Sequence, residues 1–159
     1  MNGTEQPTQR LVHIAAEHRG LERRASQLFQ LVRRSIEESS LPAALAELTT
    51  RLGDLRDLLR RHIAQETAGG YLEEAVARVP RLAPYADAIE RQHPDLLRDV
   101  AALVEISKQL TPSHDSWKRI GDAVAQFAGT LLAHEMEESR ILQQGFNGAP
   151  ALFDLDKNR

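Results

Sequence analysis

The chain predicts an all-α fold, an antiparallel up-down-up-down four-helix bundle. Three observations lead there. Ala, Leu, Glu, Arg and Gln, all good helix formers, fill most of the sequence. No run of β-branched or aromatic residues alternates with period two, so no strand is expected. Breakers divide the chain into four long segments, and each carries apolar residues at alternating three- and four-residue steps, the spacing of helices packed at a shallow angle.

Pro7 opens the first segment, which the pattern extends from Thr8 to Ser39. Its seam reads Leu11, Ile14, His18, Leu21, Ala25, Leu28, Val32. Leu41-Pro42 punctuates the chain, and proline suits the first turn of the second helix. That helix should stop at Gly69-Gly70, where glycine serves as the residue just past a helix end. Its seam reads Leu45, Leu48, Leu52, Leu55, Leu59, His62, Glu66. A connector follows from Tyr71 to Leu82, with one short helix expected around Leu72 to Val79. Pro84 opens the third long helix, which runs to about Gln109 along Ala86, Ile89, His93, Leu96, Val100, Leu103. Thr111-Pro112-Ser113 starts the fourth, which ends near Gly145 and carries Ile120, Val124, Phe127, Leu131, His134, Glu138, Ile141.

Residues 1–7 read as a flexible N-terminus, 8–146 as the bundle, and 147–159 as a docked or loose tail without periodicity. Pro94 interrupts the third helix. It removes the hydrogen bond to the Glu90 carbonyl and disfavours helical geometry at His93, so either the helix kinks there or a new one begins. The apolar seam runs through both sides, which favours a kinked continuous helix.

Composition narrows the function. The 159 residues fit one domain, with a net charge of −3 and basic residues interspersed with acidic ones, so nothing marks a nucleic-acid surface. Cysteine is absent, which excludes disulfides, zinc–thiolate sites, iron–sulfur ligation and thiol catalysis. No stretch approaches the roughly 18 apolar residues of a membrane span. The first residues, MNGTEQPTQ, lack the apolar core of a secretory signal, so a cytoplasmic location is expected.

Six polar residues interrupt the four apolar seams: His18, His62, Glu66, His93, His134 and Glu138. A carboxylate on an inward face is costly unless compensated. Neutral imidazole and ionised carboxylate together suit non-haem iron. Counted from the helix ends of an antiparallel bundle, all six fall in overlapping layers toward one end. They also repeat: His62 and His134 are 72 residues apart, Glu66 and Glu138 also 72, and His18 and His93 75. Each helical hairpin thus supplies one histidine and one His-x-x-x-Glu, whose i, i+4 spacing puts both side chains on one face. Two ligand sets related in this way are what a dinuclear centre requires.

His-x-x-x-Glu alone is a weak signal, since His13–Glu17 and His18–Glu22 also match it. Glu17 and Glu22 lie off the seam. One seam histidine reads as an ordinary core residue; four with two glutamates in one layer read as a metal site. His13 and His114 read as surface or helix-start histidines, and Arg60 and Arg61 as a solvated face. Glu17 and Glu135 adjoin ligand histidines and read as surface carboxylates or as acceptors for an imidazole N–H.

The order His, His-x-x-x-Glu, His, His-x-x-x-Glu, carried by EHRGLERR, LRRHIAQE, IERQHPDLL and LLAHEMEESRIL, resembles the hemerythrin-like HHE cation-binding domain over about residues 8 to 146. The resemblance implies two non-haem irons between four helices. His18 and His62 would bind one, His93 and His134 the other, with Glu66 and Glu138 bridging them and an oxo or hydroxo bridge between the metals. The oxygen-carrying hemerythrins have a further histidine four residues after the third-helix one; here that position is Leu97. Their last carboxylate is an aspartate five residues after the last histidine; here that position is Ser139, and Glu138 stands at four. The chain is therefore more similar to the branch associated with iron sensing, peroxide handling or nitric oxide response.

The expected function is a di-iron protein that binds or reacts with dioxygen, peroxide or nitric oxide, or senses iron. The alternatives are a peroxide-decomposing enzyme and a metal-free interaction module whose polar layer only sets helix register. Leu21, Leu59, Leu97 and Leu131, one turn from the ligands, would form an apolar lid. The small ligand is the expected partner, with neither nucleic acid nor membrane.

Overall fold

The computed structural model describes residues 7–146, and these are all-helical, without a strand. The expected flexible N-terminal segment, apart from Pro7, and the tail from 147 to 159 lie outside the described residues. Five α-helices follow one another: α1 (Pro7–Val32), α2 (Leu41–Gly69), α3 (Tyr71–Arg78), α4 (Ala83–Gln109) and α5 (His114–Gly145). Single 3-10 turns at Glu38–Ser40 and Pro80–Leu82 lead into α2 and α4. α1 packs against α2 and α5, and α4 packs against the same two helices. The short α3 lies mainly against α5.

The helix ends are chemically marked. Pro42 occupies the first turn of α2, and Gly70 closes that helix in the left-handed conformation, φ 63°, which glycine adopts without steric cost. The Gly70 N–H donates to the Glu66 carbonyl at 3.0 Å, so the helix stops one turn beyond Glu66. Ser113 caps α5 by accepting from the Ser116 N–H through its hydroxyl.

One expected boundary is corrected. α1 stops at Val32, seven residues short of Ser39, although the sequence between them contains no strong breaker. The Arg34 N–H closes a tight turn on the Leu31 carbonyl, the indole N–H of Trp117 takes the Arg34 carbonyl at 3.3 Å, and Ile36 packs onto the core. Tertiary contacts override local propensity here. At Pro94 the helix is continuous: α4 runs unbroken through it, and His93 keeps its place on the buried face.

Every seam position is buried except Val32, whose place is taken by Leu31. The apolar interior falls into two clusters. The larger holds, among others, Leu28, Leu52, Leu55, Val100, Val124 and Phe127. The smaller lies around Leu11, Ile14, Leu72, Ile89, Ile141 and Phe146. In it α3 comes close to the end of α5, where a Cβ on Gly145 would overlap that of Ala75 and lie 2.7 Å from the Ala75 Cα. Along α1, α4 and α5, the histidines and glutamates separate these two clusters, and α2 ends soon after its own His62 and Glu66.

Candidate metal centre

The six seam residues converge, and all are buried. His18 enters from α1, His62 and Glu66 from α2, His93 from α4, and His134 and Glu138 from α5. The rings form two edge-to-face pairs. His18 and His62 have centroids 4.9 Å apart, and His93 and His134 5.0 Å apart.

Each glutamate faces both pairs. Glu66 Oε1 lies 2.9 Å from His62 Nε2 and 3.5 Å from His18 Nε2, while its Oε2 lies 3.7 Å from His93 Nε2. Glu138 Oε1 lies 3.4 Å from His18 Nε2, and its Oε2 lies 3.4 Å from His134 Nε2. His18, His62, Glu66 and Glu138 form one group able to hold a metal ion, and His93, His134 and Glu138 form a second.

Three of the four rings are held from behind. His62 Nδ1 meets Glu17 Oε2 at 2.9 Å, His18 Nδ1 meets the Ser139 hydroxyl at 2.8 Å, and His134 Nδ1 meets Gln92 Oε1 at 2.9 Å. A partner on Nδ1 fixes the ring and leaves Nε2 to point into the layer, the arrangement that orients metal-ligating histidines. His93, the most exposed of the four at 8%, has no such side-chain partner among the described residues. Glu17 therefore stands behind a ring, as one of its two readings had it, and in turn lies 3.3 Å from the ring of His13.

Glu135 corrects the sequence reading. It is neither on the surface nor behind a ring: it is fully buried, with Oε2 3.3 Å from His18 Nε2 and 3.9 Å from His62 Nε2. The wide buried face of α5 accounts for it. On α5 the buried positions come as adjacent pairs at heptad spacing, Phe127–Ala128, His134–Glu135 and Ile141–Leu142, so the helix buries a face wider than one seam. Ser139, at the position where the resemblance would place an aspartate, supports His18. Gln92 and its contact with His134 carried no sequence signal. His13 and His114 are exposed, as are Arg60 and Arg61. Of the expected lid, Leu21, Leu59 and Leu131 are fully buried in the larger apolar cluster, and Leu97 packs against it partly buried.

The layer crowds carboxylates together. Its three buried carboxylates have no lysine or arginine among the buried polar residues. Burial raises Glu135 to about 7, against the lowering pull of His18 and His62. Burial and the facing Glu138 carboxylate raise Glu66, while Glu138 lies well below the usual range because the facing Glu66, His134 and His18 groups outweigh its own burial. Burial alone would lower His62, but the facing Glu66 carboxylate and the Glu135 charge lift it to about 9. Burial, with the His134 charge, drops His93 to about 4.

Among the described residues, the buried side-chain atoms without a hydrogen-bond partner all lie in this layer, and they include Nε2 of His18, His62 and His93 and both oxygens of Glu66. Buried polar atoms are ordinarily paired. A metal shell with bonds of about 2.1 Å has donor–donor edges of about 3.0–3.4 Å, close to the separations found. The donor set, its spacing and its unpaired atoms fit a metal ion. Comparison with protein-family models, with curated proteins and with solved structures finds no match. Among the described residues no helix is long and apolar enough to cross a membrane.

Proposed function

We propose that the chain is a hemerythrin-like, antiparallel four-helix bundle that binds two non-haem irons and uses them to bind or react with dioxygen, peroxide or nitric oxide, or to sense iron. The observation that carries this reading is the two-sided placement of Glu66 and Glu138, each with one oxygen toward His18 or His62 and the other toward His93 or His134. The ring of contacts among α1, α2, α4 and α5 supports the bundle.

In this reading His18 and His62 would hold one iron and His93 and His134 the other, with Glu66 and Glu138 shared between the two. When bound, the metal pair supplies open coordination positions and electrons for a small ligand. The chain does the rest. Glu17, Ser139 and Gln92 fix ring orientation through Nδ1. Leu21, Leu59 and Leu131 close the layer on one side and Ile14, Ile89 and Ile141 on the other, which excludes water and strengthens every electrostatic interaction inside.

A polar layer that served only helix register would satisfy its own hydrogen bonds. The unpaired Nε2 and carboxylate atoms argue against that alternative. Anaerobic loading with ferrous iron, followed by metal analysis, tests the proposal. Two ions per chain are expected, with a near-ultraviolet ferric absorption after exposure to air; one ion or none overturns it. Steady-state peroxide turnover by the loaded protein separates an enzyme from a binding or sensing protein.

A further inference from the structure

Resting on the two-metal reading, we propose that Glu135 is a seventh metal ligand committed to the His18/His62 position, which makes the two positions unequal. Glu135 is 0% exposed and both of its carboxylate oxygens lack a hydrogen-bond partner. Its Oε2 is aimed at the Nε2 atoms of His18 and His62, at 3.3 and 3.9 Å, and at neither histidine of the other pair. An ion pair with an imidazolium would bring a charge-assisted hydrogen bond to about 2.7–2.9 Å. At 3.3 Å without a hydrogen bond, the oxygen occupies one more corner of the same shell.

The two donor sets then differ in number. His18 Nε2, His62 Nε2, Glu66 Oε1, Glu138 Oε1 and Glu135 Oε2 surround the first position. His93 Nε2, His134 Nε2, Glu66 Oε2 and Glu138 Oε2 surround the second. The asymmetry arises on α5. Glu135 directly follows His134, and one residue along a helix turns the side chain by about 100°. His134 thus serves one position and its neighbour the other. The pseudo-twofold repeat has no counterpart at the end of α2, where Ile63 follows His62 and is buried in the larger apolar cluster. The first position should bind metal more tightly and fill first, and the second keeps more of its shell free for an exogenous ligand.

Zn2+ is a suitable redox-silent probe. In the unmutated chain, one equivalent of Zn2+ should shift the ring resonances of His18 and His62 in the NMR spectrum before those of His93 and His134. Simultaneous or reversed shifts overturn the proposal, and this measurement needs no variant. Glu135→Gln keeps the side-chain volume while removing the charge. With only the first position left, in a His93→Ala chain, it should weaken Zn2+ binding roughly tenfold or more. With only the second left, in a His18→Ala/His62→Ala chain, it should leave affinity unchanged. Equal effects, or none in either chain, overturn the Glu135 assignment while leaving two bound metals intact. If the unmutated chain takes up no metal in this layer, the two-metal reading itself falls.

Discussion

The leucine layer around Leu52 and Leu55 and the histidine–glutamate layer about two turns further along α2 occupy the same seam, equally hidden from solvent. In the first, every buried atom is apolar and gains by leaving water. In the second, imidazole nitrogens and carboxylate oxygens are buried with empty hydrogen-bonding positions. Equal burial therefore has opposite energetic meaning in the two. The leucine layer holds the fold together with or without a ligand, whereas the polar layer leaves buried polar atoms unpaired in the metal-free protein.

The largest expected effect tests that opposition directly. Leu55→Ala, at a fully buried site, should cost about 2–5 kcal/mol in urea unfolding, and metal content at low temperature should stay at two. Glu135→Leu should have the reverse sign in metal-free protein, a gain of about 1–3 kcal/mol, because an unpaired buried carboxylate is removed. A loss of stability in both variants would erase the distinction between the layers.

Metal loading should sharpen it. At a metal concentration 100 times Kd, binding adds about 2.7 kcal/mol of stability per independent site. Leu55→Ala should gain the same increment as the unmutated chain, since the layers are separate. Differential scanning calorimetry of the four samples checks this, and equal melting temperatures with and without metal would count against a buried site.

The two layers should also diverge with pH. In metal-free protein the folded-state value of His62 is raised from 6.5 to about 9, and His18 is raised as well. A raised histidine contributes stability that is complete below the unfolded value and lost as pH climbs through the folded one. Metal-free stability should therefore fall between about pH 6.5 and 9, and His62→Gln should flatten that slope. Metal affinity should move the opposite way over the same window, because a ligand histidine must be neutral. A metal-free stability that rises from pH 7 to 9 would contradict the ion-pairing of these rings.

Smaller effects grade outward from the layer. Glu17→Ala, which frees the His62 ring, should lower metal affinity about 10- to 100-fold with two ions still bound at saturation. His114→Ala and His13→Ala should leave iron content unchanged and move stability by no more than about 0.5 kcal/mol. His13, 60% exposed, touches the layer only through Glu17, so a loss of iron in His13→Ala would mean the site extends to the surface.

How much was legible follows from the range of each signal. Proline, glycine and a capping serine are local, and they place the ends of α2, α4 and α5 within a residue or so. The seam is periodic, and it brings His18, His62, Glu66, His93, His134 and Glu138 inside together. The end of α1 was not legible, because Arg33 to Ser39 is helix-compatible and the turn depends on a Trp117 indole 83 residues from Arg34. The supporting contacts of Gln92 and Ser139 were not legible either, since each reaches a ring on another helix.

By itself, then, the sequence determined that the chain is helical, where most helices stop, and which residues face inward in duplicate, because these depend on backbone chemistry and on a period of 3.6. Only the tertiary structure decided which neighbour of a seam residue also turns inward. Glu137 and Glu135 are both one residue from a ligand on α5, yet Glu137 pairs with Arg140 at the surface and Glu135 is sealed among the histidines. The difference is which side of α5 is covered. α1 packs along that helix and brings His18 against Glu135, as α2 brings His62, and the arrangement of neighbouring helices is a property of the assembled interior that no single helical period contains.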